Sequence, residues 1–461
     1  MNVAALIPRL VLVKEGELAA LIWSGTYFFC LLFSYYLLRP YRDEMGIRGD
    51  LDKLPWLWTG TAIATLAAAP LFALLVSRMP RRRFVPITYR FFATNLVVFY
   101  GLFLAFPAKG HIGIGYAFYI WLSVFNLFIV SVFWGFMADV FNPEQAKRLF
   151  GAIGVGGTLG AICGSAVPAS LVKGFAVGGW TFKIDPVHLL LLSIVFLELA
   201  AQCVRRLVLI FGLDERVRHV AAKPNQDASS QAAAQSAPVK PAPSAQREPG
   251  RGVFTGFILI AKSPYLLTMC GYMLLFTVTS TFLAFEQARI IKATLADPSS
   301  RVSYLATIDL LINILALTTQ LLFTGRIISR LGVTAGLLLL PLVTNGGFLW
   351  LAALPTTLAL MIVQVGRRGL HYAVDRPTRE VLYTVLGPEE KYKSKSFIDT
   401  FVYRGGDLLG AWTDHLLNKA GIAVATTAIV VSLVWASAGF ALGALNRRIA
   451  RRAAQPKMPT N

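Results

Sequence analysis

Twelve transmembrane helices in two pseudo-symmetric halves of six, an all-α membrane protein, is the architecture this sequence predicts. Three observations carry that expectation. Of 461 residues, 56% are hydrophobic and only 15% are charged. The apolar residues come in blocks of about 20, the length a helix needs to cross a bilayer, and not in the alternating faces of a soluble fold. Short motifs of the first half also recur about 250 residues later.

The elements follow in order. The first apolar block, 18–39, closes on the charged stretch YYLLRPYRDEMG (35–46), and the second, 55–77, ends at the basic loop RMPRRR (78–83). Blocks at 84–107 and 112–138 lead to the polar turn NPEQAKR, the block at 149–172 carries GAIGVGGTLGAICG, and 187–211 completes the first six. The second six fall at 264–288, 302–324, 333–354, 356–383, 397–417 and 422–446. Between the sets, residues 221–250 are biased to Ala, Pro, Ser and Gln, a composition that cannot build a packed core. The expected units are therefore an N-terminal half (1–211), a flexible cytoplasmic linker (212–252) and a C-terminal half (253–461).

The repeat is visible at three places. ALLVSRMPRR (73–82) aligns with GRIISRLGVT (325–334), GGTLGA (156–161) with GDLLGA (406–411), and NPEQAKR with GPEEKYK (387–393). Two related halves with a binding site between them is an arrangement used by secondary transporters.

The formal net charge of +20 does not point to nucleic acid, because the cations lie between the apolar blocks and form no basic face. RMPRRR, Lys147–Arg148, the central loop, Arg326 and Arg330, KYKSK (391–395) and RRIARR (447–452) fall on one side, which the positive-inside rule makes cytoplasmic, together with both termini. Four cysteines in apolar segments and five scattered histidines have no metal-ligand spacing, so no metal, cofactor or disulfide is expected. No cleaved signal peptide is read at the N-terminus. The glycines of 151–164 sit inside an apolar helix, not after a strand, and their GxxxG spacing suits close helix contact better than a phosphate loop.

The loop GRIISRLGV resembles the Gly-x-x-x-Asp/Ser-Arg-x-Gly loop of the major facilitator superfamily, although the N-terminal copy has Ala73 and Pro80 where glycines are usual. Within that superfamily, YYLLRPYRDEMG and WGFMADVFNPEQAKRLFGAIGVGGTLGA (134–161) resemble the ATP/ADP-type nucleotide transporters of plastids and intracellular bacteria and their bacterial relatives. The resemblance implies the major facilitator fold, with the first, fourth, seventh and tenth helices lining a central cavity. It further implies that the loops bearing Arg78 and Arg330 latch helices on the cytoplasmic side.

Intramembrane charge is costly, about 2.5–3.5 kcal/mol per residue on insertion scales, so it marks cavities or partners. The tenth helix holds VGRRGLHYAVDRPTRE (365–380), where Arg367, His371 and Asp375 recur at i, i+4, i+8. Arg367, His371 and Arg368 are expected at the substrate. Asp375 and Arg404 are expected in gating or in a salt-bridge network with the eleventh helix. Glu286 and Asp309 are candidates for proton coupling. At the repeat offset of 250, Arg39 corresponds to Arg289 and Arg42 to Lys292. These four cations are expected to face each other across the outer mouth, with Asp43 and Glu44 pairing part of the charge. Paired guanidinium donors suit phosphate or carboxylate.

The function expected is secondary active transport of an anionic organic solute, with a nucleotide or related phosphorylated metabolite first. Exchange and proton symport both stay open. The alternatives are transport of another anion, such as a carboxylate siderophore or cell-wall fragment, a membrane-embedded transferase, or a receptor. The expected setting is a monomer in a bacterial inner membrane, with the lipid bilayer and an anionic small molecule as its partners.

Overall fold

A computed structural model describes residues 13–14, 17–79, 81–106, 111–177, 180–211, 260–261, 263–322 and 324–454. The predicted linker, 212–252, lies outside these residues. The first helix, α1 (Glu17–Arg48), does not stop where its charges begin: it runs through YYLLRPYRDEMG, with Pro40 inside it, and ends nine residues past the expected boundary. Residues 39–46 are therefore helical wall and not a membrane-surface stop.

The N-terminal half continues as α2 (Leu54–Arg78), α3 (Arg81–Ala105), α4 (His111–Val140), α5 (Pro143–Leu171) and α6 (Leu189–Ile210). A short antiparallel hairpin, β1 (Phe175–Val177) with β2 (Trp180–Phe182), joins α5 to α6. The C-terminal half comprises α7 (Pro264–Thr294), α8 (Pro298–Leu322), α9 (Thr324–Ala353) and α12 (Val424–Ala454). Between α9 and α12 lie two interrupted helices. The first, α10, is Thr357–Leu370, a π turn His371–Asp375 and Arg376–Leu382 in succession; the second, α11, is Pro388–Phe397, a π turn Ile398–Val402 and Tyr403–Lys419. Among the described residues nine helices hold a window long and apolar enough to cross a membrane. The exceptions are α2, α10 and α11, and the last two carry their charges mid-helix.

Local chemistry explains how the repeat closes each half. Asn142 caps α5 with a reciprocal capping box to Gln145, and Pro143 occupies the first turn, where its missing N–H costs nothing. In the other half Pro388 also stands in the first turn of α11, after Gly387, which has no side chain to cap it. Glu17 then binds Arg148 and Gln145, tying the start of α1 to the start of α5. Gly156, Gly160 and Gly164 lie directly on the α1 backbone at Gly25, Phe29 and Phe33, where any Cβ would collide. Their counterparts Gly406 and Gly410 pack on α7 against the Thr277 and Thr281 side chains. The GxxxG motif is thus a helix-packing device in both halves.

Three apolar cores result. One fills the N-terminal half around Tyr27, Phe118, Phe125 and Phe133, and one fills the C-terminal half around Tyr272, Phe276 and Trp435. The third joins the halves at the end opposite the termini, packing Ile47, Leu54 and Leu57 with Phe282, Phe285 and Ile291. Three hydrogen bonds between the halves sit at that same distal end: Trp412 donates to Thr59 (3.2 Å), Ser303 to the Ala169 carbonyl (2.6 Å) and Lys292 to the Gly49 carbonyl (2.5 Å).

Candidate substrate cavity

Beneath the distal seam, between the halves, lies a cavity of about 280 Å³, just under the usual range for small-molecule sites. Its charged wall is Arg39, Arg42 and Asp43 from α1 with Arg367, Arg368 and His371 from α10. Aromatic and amide side chains add Trp58, Tyr119, Phe276, Tyr372 and Tyr403, with Gln287 and Gln364, and small or aliphatic residues such as Ile47, Ser280 and Ala284 complete the wall. The first, fourth, seventh and tenth helices contribute, as the family resemblance implied, and α2 and α11 join them.

Arg367 is the least compensated of the four arginines. Its side chain sits in a residue only 4% exposed; it donates to Ser280 (2.5 Å) and Thr344 (3.1 Å), and its guanidinium lies 5.5 Å from the Phe276 ring centre. Among the described residues no carboxylate lies within ion-pair distance of it. Arg42 is held by Asp43 (2.5 and 2.9 Å), reaches Ser123 and lies over Tyr119. Arg39 and Arg368 share one carboxylate, Asp309 of α8, at 3.2 and 3.1 Å.

The π turn in α10 spans His371 and Asp375, which stay in contact at i, i+4. His371 stays on the cavity wall, stacked on Phe276 at 4.5 Å. Asp375 is turned into the protein, 1% exposed, accepting from Tyr272 (2.8 Å), with His371 Nδ1 at 3.0 Å and Arg379 at 3.2 Å. Such turns are frequent at functional sites because the wider turn re-aims side chains without ending the helix. The second π turn, in α11, immediately precedes the cavity residue Tyr403.

The expected symmetry of the mouth does not hold. Arg289 does not line this cavity: it makes two bonds to Asp414 of α11 (2.8 and 2.9 Å) and one to Glu286 (2.9 Å), beside a separate small pocket with Asp52 and His415. Lys292 also departs from the cavity and bonds the Gly49 carbonyl across the seam. The cause is Asp414, a nearly buried acid that captures the cation Arg289 would otherwise present. Arg404 pairs with Asp407 at 3.6 Å, outside the cavity wall. Arg78 and Arg330 lie in helices, but their side chains are outside the described set. The neutral wall residues Tyr119, Phe276, Gln287 and Tyr403 were not singled out from the sequence, where each is indistinguishable from an ordinary core or lipid-facing residue.

A family model described as TLC ATP/ADP transporter matches residues 114–439, well over half of the chain. The chain belongs to the TLC ATP/ADP transporter family. It is a multi-pass membrane transporter and has the major facilitator fold. It is 23% identical over 491 aligned positions to ADP,ATP carrier protein 1 of Chlamydia muridarum, covering 91% of this chain and 87% of that one. With ADP,ATP carrier protein 1 of Chlamydia trachomatis the identity is 22%, again over 91% of this chain and 87% of the other. Among solved structures it resembles a bacterial homologue of the iron transporter ferroportin in an inward-facing state (TM-score 0.60, 12% identity, 94% of this chain and 100% of that one). It also resembles the nucleoside transporter NupG (TM-score 0.54, 13% identity, 94% and 100%). At these identities the structural likeness speaks for the fold alone.

Proposed function

We propose that this transporter moves nucleotides, of the ATP and ADP class, by alternating access in a bacterial inner membrane with both termini in the cytoplasm. The observation that carries the reading is Arg367, a buried guanidinium in a cavity with three further arginines and, among the described residues, no carboxylate within ion-pair distance. A phosphate is the partner such a group lacks, and the surrounding aromatic rings and the Gln287 and Gln364 amides suit a purine. The chlamydial relatives named as ADP,ATP carriers support the same substrate class. With cytoplasmic termini, the packed distal seam makes this the inward-facing arrangement.

Exchange is the favoured mode. An empty cavity leaves Arg367 without a counter-charge, and an uncompensated buried charge is costly to carry through an occluded state. Proton symport is the second reading, favoured by the contact between His371 on the wall and Asp375 behind it. Uptake of labelled ADP into proteoliposomes preloaded with ATP, ADP or buffer tests both. Accumulation that needs internal nucleotide supports exchange; accumulation without it that collapses with the proton gradient supports symport. No uptake of any nucleotide, with uptake of a non-phosphorylated anion, would sink the substrate assignment.

A further inference from the structure

Asp309 stands on α8, which supplies no residue to the cavity wall described above. Its side chain is 4% exposed, yet its Oδ1 meets both Arg39 Nη1 and Arg368 Nη1, at 3.2 and 3.1 Å. Arg39 belongs to the N-terminal half; Arg368 and Asp309 belong to the C-terminal half. One carboxylate oxygen therefore engages two of the four cavity arginines and links the halves at cavity depth. Arg39 Nε is buried with no hydrogen-bond partner, so the single oxygen does not satisfy the guanidinium that it holds. A phosphate group presents the same anionic acceptor with more oxygens, and it can take paired donors where Asp309 takes one hydrogen bond from Arg368 and an ion-pair contact from Arg39.

We infer that Asp309 is a resident counter-ion: in the empty transporter it occupies the Arg39 and Arg368 donors that a substrate phosphate takes over on binding. The inference rests on the nucleotide reading and deepens it, since it makes binding a replacement of one anion by another. Without the carboxylate, Arg39 and Arg368 repel across the boundary between the halves, and the closed distal seam loses its link at cavity depth. Asp309 thus has two effects in the empty protein. It competes with substrate, and it holds the halves together until substrate arrives.

The test uses full-length protein in nanodiscs, with spin labels carried on unnatural amino acids at Phe106 and Leu354, exposed positions at the distal ends of the two halves. Asp309→Asn should bind ADP about tenfold more tightly than the unsubstituted protein, because the internal competitor is gone. In the absence of ligand its Phe106–Leu354 distance distribution should shift to longer values, and added ADP or inorganic pyrophosphate should shorten it again. An unchanged or shorter distance in the empty variant overturns the counter-ion role, and an unchanged or weaker ADP affinity overturns the replacement. If the unsubstituted protein binds no ADP, the nucleotide reading fails and the ligand-free distance alone decides the role of Asp309. Should Asp309→Asn not fold, Arg39→Gln cuts the same link from the other half; the empty protein should again lengthen, and an unchanged distance there overturns the inference.

Discussion

The distal thirds of α1 and α7 are repeat-related, and each carries two cations three residues apart: Arg39 and Arg42 on one, Arg289 and Lys292 on the other. Their fates differ. The α1 pair lines the cavity, where one Asp309 oxygen meets Arg39 and Asp43 and Ser123 hold Arg42. The α7 pair is consumed by the seam, with Arg289 clamped by Asp414 and Glu286 and Lys292 bonded to a carbonyl of the other half. Identical charge at equivalent positions therefore lines the cavity in one half and joins the seam in the other. What separates them is the carboxylate that a neighbouring helix brings, and that helix is more than 100 residues away in the chain.

The sharpest way to break this contrast is at Arg367, the cavity arginine that meets no carboxylate among the described residues. Arg367→Ala should weaken ADP binding by about a hundredfold, the loss of about 3 kcal/mol for charge-assisted hydrogen bonds, with expression near normal. Arg367→Lys should recover only part of that, because an ammonium cannot reproduce the planar fork. Isothermal titration of the purified variants measures both, and full affinity in Arg367→Ala would remove the main support for an anionic substrate.

The direct comparison is Arg39→Ala against Arg289→Ala. The first should cost about tenfold in ADP affinity. The second should leave affinity within about twofold and instead lower the thermal midpoint. Asp414 is then left 2% exposed without its partner, a cost of about 2–3 kcal/mol, reduced from the fully buried range because Arg289 is 26% exposed. Arg289→Ala with Asp414→Asn should recover much of that stability. Equal affinity losses in the two single variants would mean that both halves present their cations to substrate after all.

The smallest effect is expected from the segment between the halves. Deleting most of 221–250, a stretch biased to Ala, Pro, Ser and Gln, should change ADP uptake by less than about twofold if all it does is connect the halves. A folded but inactive deletion would show that the segment has a specific partner.

Much of this molecule was legible as text. Helix positions, the two-half repeat and the GxxxG contact follow from composition and spacing, because a bilayer requires long apolar helices and close packing requires residues without side chains. The same reading placed Arg39, Arg42, Arg367, Arg368 and His371 at the substrate, and all five line one cavity. It did not foresee the π turn at His371–Asp375, where Asp375 lies buried behind His371. No residue type announces such a turn, because it reflects how α10 is held by its neighbours.

Sequence alone therefore determined which residues are charged, which segments span the bilayer and which motifs recur. Only the tertiary structure decided how each charge is used: Arg289 meets Asp414, Arg39 and Arg368 converge on Asp309, and Arg367 meets no acid among the described residues. Local patterns dictate helices because their hydrogen bonds and apolar lengths lie within a few turns of chain. Ion pairs between helices depend on packing, and a guanidinium takes whichever carboxylate the fold brings within about 3 Å.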